Sequence, residues 1–129
     1  MILTKRRLER RAEREFESRL YSAVMNAFAG AGNSIILEEL MSDVRFTRLN
    51  SSGPNEYYST PAWSALEGIA AGITGSWRIQ ADTPLARVFR DIVRSGNPNS
   101  EVLVAMKDSK EPYLGIMVKA AMVGMEKKW

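Results

Sequence analysis

The chain has 129 residues, of which 45% are hydrophobic and 26% charged, and it contains no cysteine and no histidine. This length suffices for one domain with its own hydrophobic core, and the composition is that of a globular protein rather than a disordered one. The missing residue types exclude disulfides, zinc–thiolate sites and thiol nucleophiles, and they remove the commonest general base and transition-metal ligand.

Basic residues are concentrated near the start of the chain. Residues 5–19 contain seven basic and four acidic side chains and the other residues contain 11 of each, so the net charge of +3 lies in this segment. The basic residues are Lys5, Arg6, Arg7, Arg10, Arg11, Arg14 and Arg19, and the acidic ones are Glu9, Glu13, Glu15 and Glu17. A neutral body with a basic extension is typical of a protein that binds an anionic partner.

The same segment predicts a helix from about Thr4 to Ala29, ended by Gly30 and Gly32. Such a helix would be roughly 39 Å long, whereas a compact domain of this size has a radius of gyration of about 14 Å. We therefore expect residues 1–19 to form a basic, projecting part of the first helix and residues 20–129 to form the globular body.

Three interpretations of this helix stay open. The first is a solvated helix that packs only on its own domain. The second is a basic helix that binds a polyanion or an acidic protein. The third is one helix of a coiled-coil-like contact. The coiled-coil alternative would use Leu8, Ala12, Phe16 and Leu20, with alanine as a poor residue for such a seam. The interleaved glutamates favour an acidic protein over nucleic acid, because carboxylates repel a continuous phosphate backbone.

Capping signals predict three further helices in the middle of the chain. They begin at Asn33 or Ser34, at Thr60-Pro61 and at Thr83-Pro84. Between the first two, residues 44–60 are expected to be a loop, with a small hairpin around residues 52–55 as the alternative.

The C-terminal part is less distinct. Residues 102–106 suit a strand or a short buried helix, and from about Lys110 we expect a helix, with a hairpin as the alternative over residues 101–124. The expected fold is mainly α, one compact helical domain over residues 1–129 with a long basic N-terminal helix. One short β-hairpin, and hence an α+β fold, is the alternative.

Two sets of residues are candidates for an interface. The first is a small face on the helix after Pro61, which would let another backbone approach closely, within the domain or between subunits. The second is the methionine-rich C-terminal segment, which suits a core or an adaptable interface. The residues are Ala65, Gly68, Ala71 and Gly72 in the first set, and Met117, Met122 and Met125 in the second.

An arginine ridge lies opposite the apolar face of the helix after Pro84. A charged face of this kind is usually just solvated, although it also suits phosphate or an acidic partner. With the N-terminal basic residues, it gives the candidate anion- or partner-binding set: Lys5, Arg6, Arg7, Arg10, Arg11, Arg14, Arg87, Arg90 and Arg94.

Motifs for catalysis are missing from the sequence. It contains no phosphate-binding glycine loop, no serine-nucleophile elbow and no EF-hand loop. Two close carboxylate pairs, Glu39 with Asp43 and Asp108 with Glu111, are of a kind common on surfaces. We therefore expect no enzymatic activity, no catalytic residues, no cofactor and no metal.

The favoured interpretation is a subunit of a larger assembly, for example a viral one, that docks on a protein partner or on a second copy of itself through the basic helix. The alternative is a nucleic-acid-binding protein that uses the same helix and the arginine ridge. Short apolar runs and charges from Lys5 onward predict no membrane partner and no secretory signal peptide. The expected location is the cytoplasm, a virion or another intracellular assembly.

Overall fold

Six helices make up most of the part of the chain that the structure describes. The structure is a computed structural model, and it describes residues 2–43, 45–46, 60–74, 83–97 and 100–128. The helices are α1 (Ile2–Phe28), α2 (Ser34–Met41), α3 (Pro61–Thr74), α4 (Pro84–Ser95), α5 (Glu101–Met106) and α6 (Leu114–Lys128). The predicted mainly α fold is confirmed, since these described ranges contain no strand. The hairpin considered around residues 52–55 lies outside them, and the alternative hairpin over 101–124 is replaced by α5 and α6.

The second half of α1 is held by the core. Phe16, Leu20, Val24 and Phe28 recur every four residues, and each is at most 3% exposed. The helix ends where Gly30 adopts a φ of 89°, a left-handed conformation that glycine takes at little cost.

The C-terminal helix α6 lies alongside α1 and runs in the same direction. Tyr113, just before α6, contacts Glu13, and Gly124 near its end lies against Met25 and Phe28. A Cβ at Gly124 would overlap the carbonyl oxygen of Met25, so the glycine allows close approach of the two helices. With α2 also contacting α1, the body supports the later turns of the long helix.

The second close helix pair is formed by α3 and α4. A Cβ at Gly68 would overlap the backbone carbonyl of Ala86, and one at Gly72 would overlap the side chain of Val93. Thr83 caps α4 as predicted, because its hydroxyl accepts a hydrogen bond from the Ala86 N–H at 3.1 Å. The α4 helix packs mainly on α3, which links it to the rest of the molecule.

A continuous hydrophobic core includes residues from all six helices. The largest fully buried side chains are Phe46, Phe89, Leu20, Leu37, Leu40, Leu66, Ile69, Leu103, Met117 and Met125. The indole N–H of Trp63 donates to the Met41 carbonyl at 3.1 Å and ties α3 to α2. At the start of α2, the Asn33 side chain accepts a hydrogen bond from the Ile35 N–H at 2.9 Å, which is the predicted cap.

The last helix begins later than the sequence suggested. We expected a start near Lys110, whereas α6 begins at Leu114. Directly before it, Tyr113 has a φ of 68°, a left-handed conformation that costs a non-glycine residue about 1–2 kcal/mol. Such strain persists where surrounding contacts fix the residue, and Tyr113 is fixed by its contacts with α1.

Candidate partner-binding surface

The first turns of α1 extend from the body as an arm, residues 5–14. Every residue from Lys5 to Ala12 is exposed, which means that no side of the helix is covered there. Leu8 is 60% exposed, and Phe16, at 3%, is the first buried residue from Lys5 onward. The arm therefore presents its whole circumference to solvent.

Four arginines share one side of the arm. They are Arg7, Arg10, Arg11 and Arg14, which we call the arginine face. Arg10, Arg11 and Arg14 follow Arg7 by three, four and seven residues, and this spacing places side chains on one face of a helix. All four are exposed, so the face is open to a partner.

Of the two glutamates nearest the arginine face, Glu9 lies away from it and Glu15 contacts one of its members. Glu9 precedes the buried Phe16 by seven residues and therefore lies on the side of α1 that faces the core further along. Glu15 accepts a hydrogen bond from Arg11 Nε at 3.2 Å. Both of these side chains are largely exposed, so the pair adds little stability.

At the base of the arm, Glu13 forms hydrogen bonds with two residues that are distant from it in the sequence. Its carboxylate accepts a hydrogen bond from the Tyr113 hydroxyl at 2.6 Å and from Arg45 Nε at 2.8 Å. The Phe16 ring meets those of Tyr113 and Phe46 edge-on, at centroid distances of 5.1 and 6.1 Å, and the Arg45 guanidinium lies 4.6 Å from the Phe16 centroid. We call these five residues the anchor cluster, because they fix the point at which α1 leaves the body.

The electrostatics of the anchor cluster favour the charged form of the carboxylate. The hydrogen bonds from Tyr113 and then from Arg45 lower the pKa of Glu13. Burial, followed by the hydrogen bond to Glu13, raises the pKa of the Tyr113 phenol. The hydrogen bond to Glu13 likewise raises the pKa of Arg45, whose Nη1 also lies 3.2 Å from Asp43. The carboxylate of Glu13 is thus hydrogen-bonded within the body, by a tyrosine and by an arginine that it shares with Asp43.

The arginine ridge on α4 is separate from the arm. α4 packs mainly on α3, whereas α1 packs mainly on α6. Arg90 forms an ion pair with the adjacent Asp91 at 3.1 Å. Arg94 is exposed in the last turn of α4, where a cation is favoured by the helix dipole. Helix packing therefore does not place the arginine ridge of α4 beside the arm of α1.

The small face and most of the methionine set are used inside the chain. Ala65 is fully buried, and Gly68 and Gly72 lie against α4. Met117 and Met125 are also fully buried, and Met122 packs against the core. Their burial needs no second subunit, and a role between subunits stays a prediction.

Exposed aliphatic residues that we did not single out occur on two short helices. Ile35 and Ile36 on α2 are 64% and 38% exposed, and Val102 and Val104 on α5 are 42% and 51% exposed. A signal was present in the sequence: α2 carries three apolar residues in succession, and a helix that packs on one side cannot bury all of them.

A groove of about 270 Å³ lies between α1 and α2. It is lined by Ser18, Arg19, Ser22, Ala23, Asn26 and Ile36. Glu39 of α2 reaches across to Arg19, at 3.6 Å between the charged atoms. The groove is partly apolar, and both charges at its rim are paired with each other.

Among the described residues, no group of acidic side chains is arranged to hold a metal ion, and Glu39 and Asp43, which we considered as a carboxylate pair, contact Arg19 and Arg45 instead. None of the helices in these ranges is long and apolar enough to span a membrane. No family model, curated protein or solved structure matches the chain.

Proposed function

We propose that this chain is a non-catalytic docking subunit that holds an acidic protein through the arm. The observation that carries the proposal is the exposure of the helix on all sides from Lys5 to Ala12, with five cations and one carboxylate in that stretch. A helix gains most of its stability from packing, so an uncovered helical end has little to contribute to the fold. It is well suited to contact another molecule.

The class of partner follows from what lies beside the arginine face. Leu8 is 60% exposed within the arm, and Ala12 follows one helical turn later. An apolar side chain among arginines is typical of protein interfaces, where arginine is enriched around an apolar centre. Arginine also presents a planar fork of donors that matches carboxylates. An acidic protein surface with an apolar centre would satisfy both features.

Nucleic acid is the second candidate, and one observation favours it. The glutamates were our reason to prefer a protein, yet Glu13 is engaged by Arg45 and Tyr113, and Glu15 by Arg11. Arg7, Arg10 and Arg14 have no partner among the described ion pairs and would tolerate a phosphate backbone better than the sequence indicated. Binding of that kind would be insensitive to base sequence and steeply dependent on salt.

The test compares three anionic probes. They are a helical peptide of about 20 residues with leucines on one side and glutamates on the other, polyglutamate of equal charge, and random-sequence duplex DNA. We expect the peptide to bind most tightly and with the weakest salt dependence. Submicromolar binding to the duplex, with a log–log salt slope of roughly −0.7 to −0.9 per phosphate contact, would place nucleic acid first.

A matched pair of variants assigns the binding to the arm. The arm variant carries Arg7→Gln, Arg10→Gln and Arg14→Gln, and the control carries K107Q, K110Q and K119Q, which removes equal charge at other exposed positions. Three exposed ion pairs at about 0.5 kcal/mol each predict a roughly tenfold loss of peptide affinity in the arm variant. Equal losses in both variants would show that only net charge matters, and the arm would lose its role.

A further inference from the structure

We propose that the groove between α1 and α2 seats the apolar side of an amphipathic helix from the partner, with the acidic end of that helix over the arm. This inference rests on the proposed function and names the form of the partner. It combines three exposed apolar side chains, the groove and the unequal distribution of charge along α1.

The surface is a stripe along one side of α1. Counting from Leu8, positions 12, 15, 19, 22 and 26 follow at intervals of three or four residues, the spacing of one helical face. Arg19, Ser22 and Asn26 from this series line the groove. The exposed leucine of the arm and the groove are therefore parts of one continuous stripe, about 27 Å long.

Apolar residues of α2 border the same stripe. Ile36 lines the groove, and Ile35 and Ile36 precede Glu39 by four and three residues. Because Glu39 reaches Arg19 on α1, both isoleucines lie on the side of α2 that faces the stripe. They are 64% and 38% exposed, and with Leu8 they are three of the five exposed large hydrophobic residues in the described part of the chain.

The charges along the stripe determine which kind of partner helix fits it. In the groove half of the stripe, Arg19 is paired with Glu39, so this half is electrostatically balanced. In the arm half, Lys5 and Arg11 flank Leu8 at a spacing of three residues. Lys5 has no ion pair among those described, and Arg11 pairs with the exposed Glu15, which also lies in the stripe. A partner helix that is apolar along one side and acidic at one end complements both halves. Duplex nucleic acid would leave the isoleucines uncovered.

The experiment uses the leucine–glutamate peptide with its glutamates concentrated in one half, and a scrambled peptide of the same composition. The chain has no cysteine, so single cysteines placed by S22C in the groove and by K119C on the exposed side of α6 can be labelled with a maleimide. Saturating peptide should slow labelling of the groove cysteine at least about tenfold and leave the other unchanged. Equal rates with and without peptide at the groove cysteine would overturn the proposal.

Paired variants separate the groove from the arm. Ile35→Ser with Ile36→Ser should weaken the peptide at least about tenfold, whereas V102S with V104S, at similarly exposed positions of α5, should not. Circular dichroism checks that the fold is retained. If the groove variant binds like the parent while the arm variant does not, the groove proposal fails and the docking function stands. If the arm variant keeps full affinity, the docking function itself fails.

Discussion

Phe16 is the residue at which α1 passes from solvent into the core. Its ring is 3% exposed and contacts the rings of Phe46 and Tyr113. Phe16→Ala should therefore lower the free energy of unfolding by about 3–5 kcal/mol in denaturant titrations. Leu8→Ala is the control: at 60% exposure it should change stability by less than about 0.5 kcal/mol. Similar losses in both variants would mean that the arm is packed on the body.

Glu13 makes the stability of the molecule depend on pH at the acidic end. Its pKa is lowered below the ordinary 4.5, so the folded state binds this proton less readily than the unfolded state. The contribution is present above pH 4.5 and is lost as pH falls through the lowered pKa. Glu13→Gln should cost about 1 kcal/mol at neutral pH, because the carboxylate is only half buried.

The measurement is the difference in unfolding free energy between the parent and Glu13→Gln across the pH range. That difference should shrink steadily as the solution is acidified below pH 4.5. A difference that stays constant down to strong acid would mean that the hydrogen bonds do not depend on the charge of Glu13.

The anchor cluster is also where sequence reasoning reached its limit. The basic character of the arm is visible in the sequence, but Glu13 is separated from Arg45 by 32 positions and from Tyr113 by 100. Periodicity informs about neighbours within one helix and carries no information about such pairs. The prediction from the glutamates therefore treated Glu13 as a free charge, whereas the fold gives it hydrogen bonds from Tyr113 and Arg45.

At the scale of elements, the close pairing of α3 and α4 depends on two glycines in different ways. At Gly68 an added Cβ would overlap backbone of Ala86, whereas at Gly72 it would overlap the Val93 side chain. Gly68→Ala should cost about 1–3 kcal/mol or more, because the helices must separate. Gly72→Ala should also cost stability, but combining it with Val93→Ala should recover part of the loss.

Thermal and denaturant unfolding test this difference. The variants compared are the two single glycine variants, G72A with V93A, and G68A with A86G. The backbone overlap at Gly68 should not be relieved by removing the Ala86 side chain. Full recovery in that double variant would show that α3 and α4 are held apart by side chains alone.

Elements with local signals were predicted well. The caps at Asn33 and Thr83 and the glycine end at Gly30 depend on residues adjacent in sequence. The small face of α3 was also recognised from its spacing, but the sequence did not say that α4 would cover it. The predicted start of α6 near Lys110 was wrong, because a tertiary contact with α1 holds Tyr113 in a non-helical conformation.

For the whole molecule, the decisive division is between a packed body and the exposed helical turns from Lys5 to Ala12. The mainly α fold followed from helical periodicity, and the apolar positions of α1 from Phe16 onward are buried as that pattern requires. The projection expected for residues 1–19 agrees with the exposure of Leu8 and Ala12, but burial already begins at Phe16. Periodicity does not locate that boundary, because apolar residues at helical spacing predict a core face whether or not the body reaches it.

The arm variant should separate stability from binding. Its three arginines lie on an exposed face of α1, where stacked like charges cost about 0.2–0.5 kcal/mol per pair. Replacing them by glutamine should leave the unfolding free energy unchanged or raise it by up to about 1 kcal/mol. Because these penalties are screened by salt, any gain should be largest at low ionic strength and vanish at about 1 M salt. A substantial fall in Tm would mean that the arginines hold the fold together, and neither the arm nor its docking role would then be independent of the body.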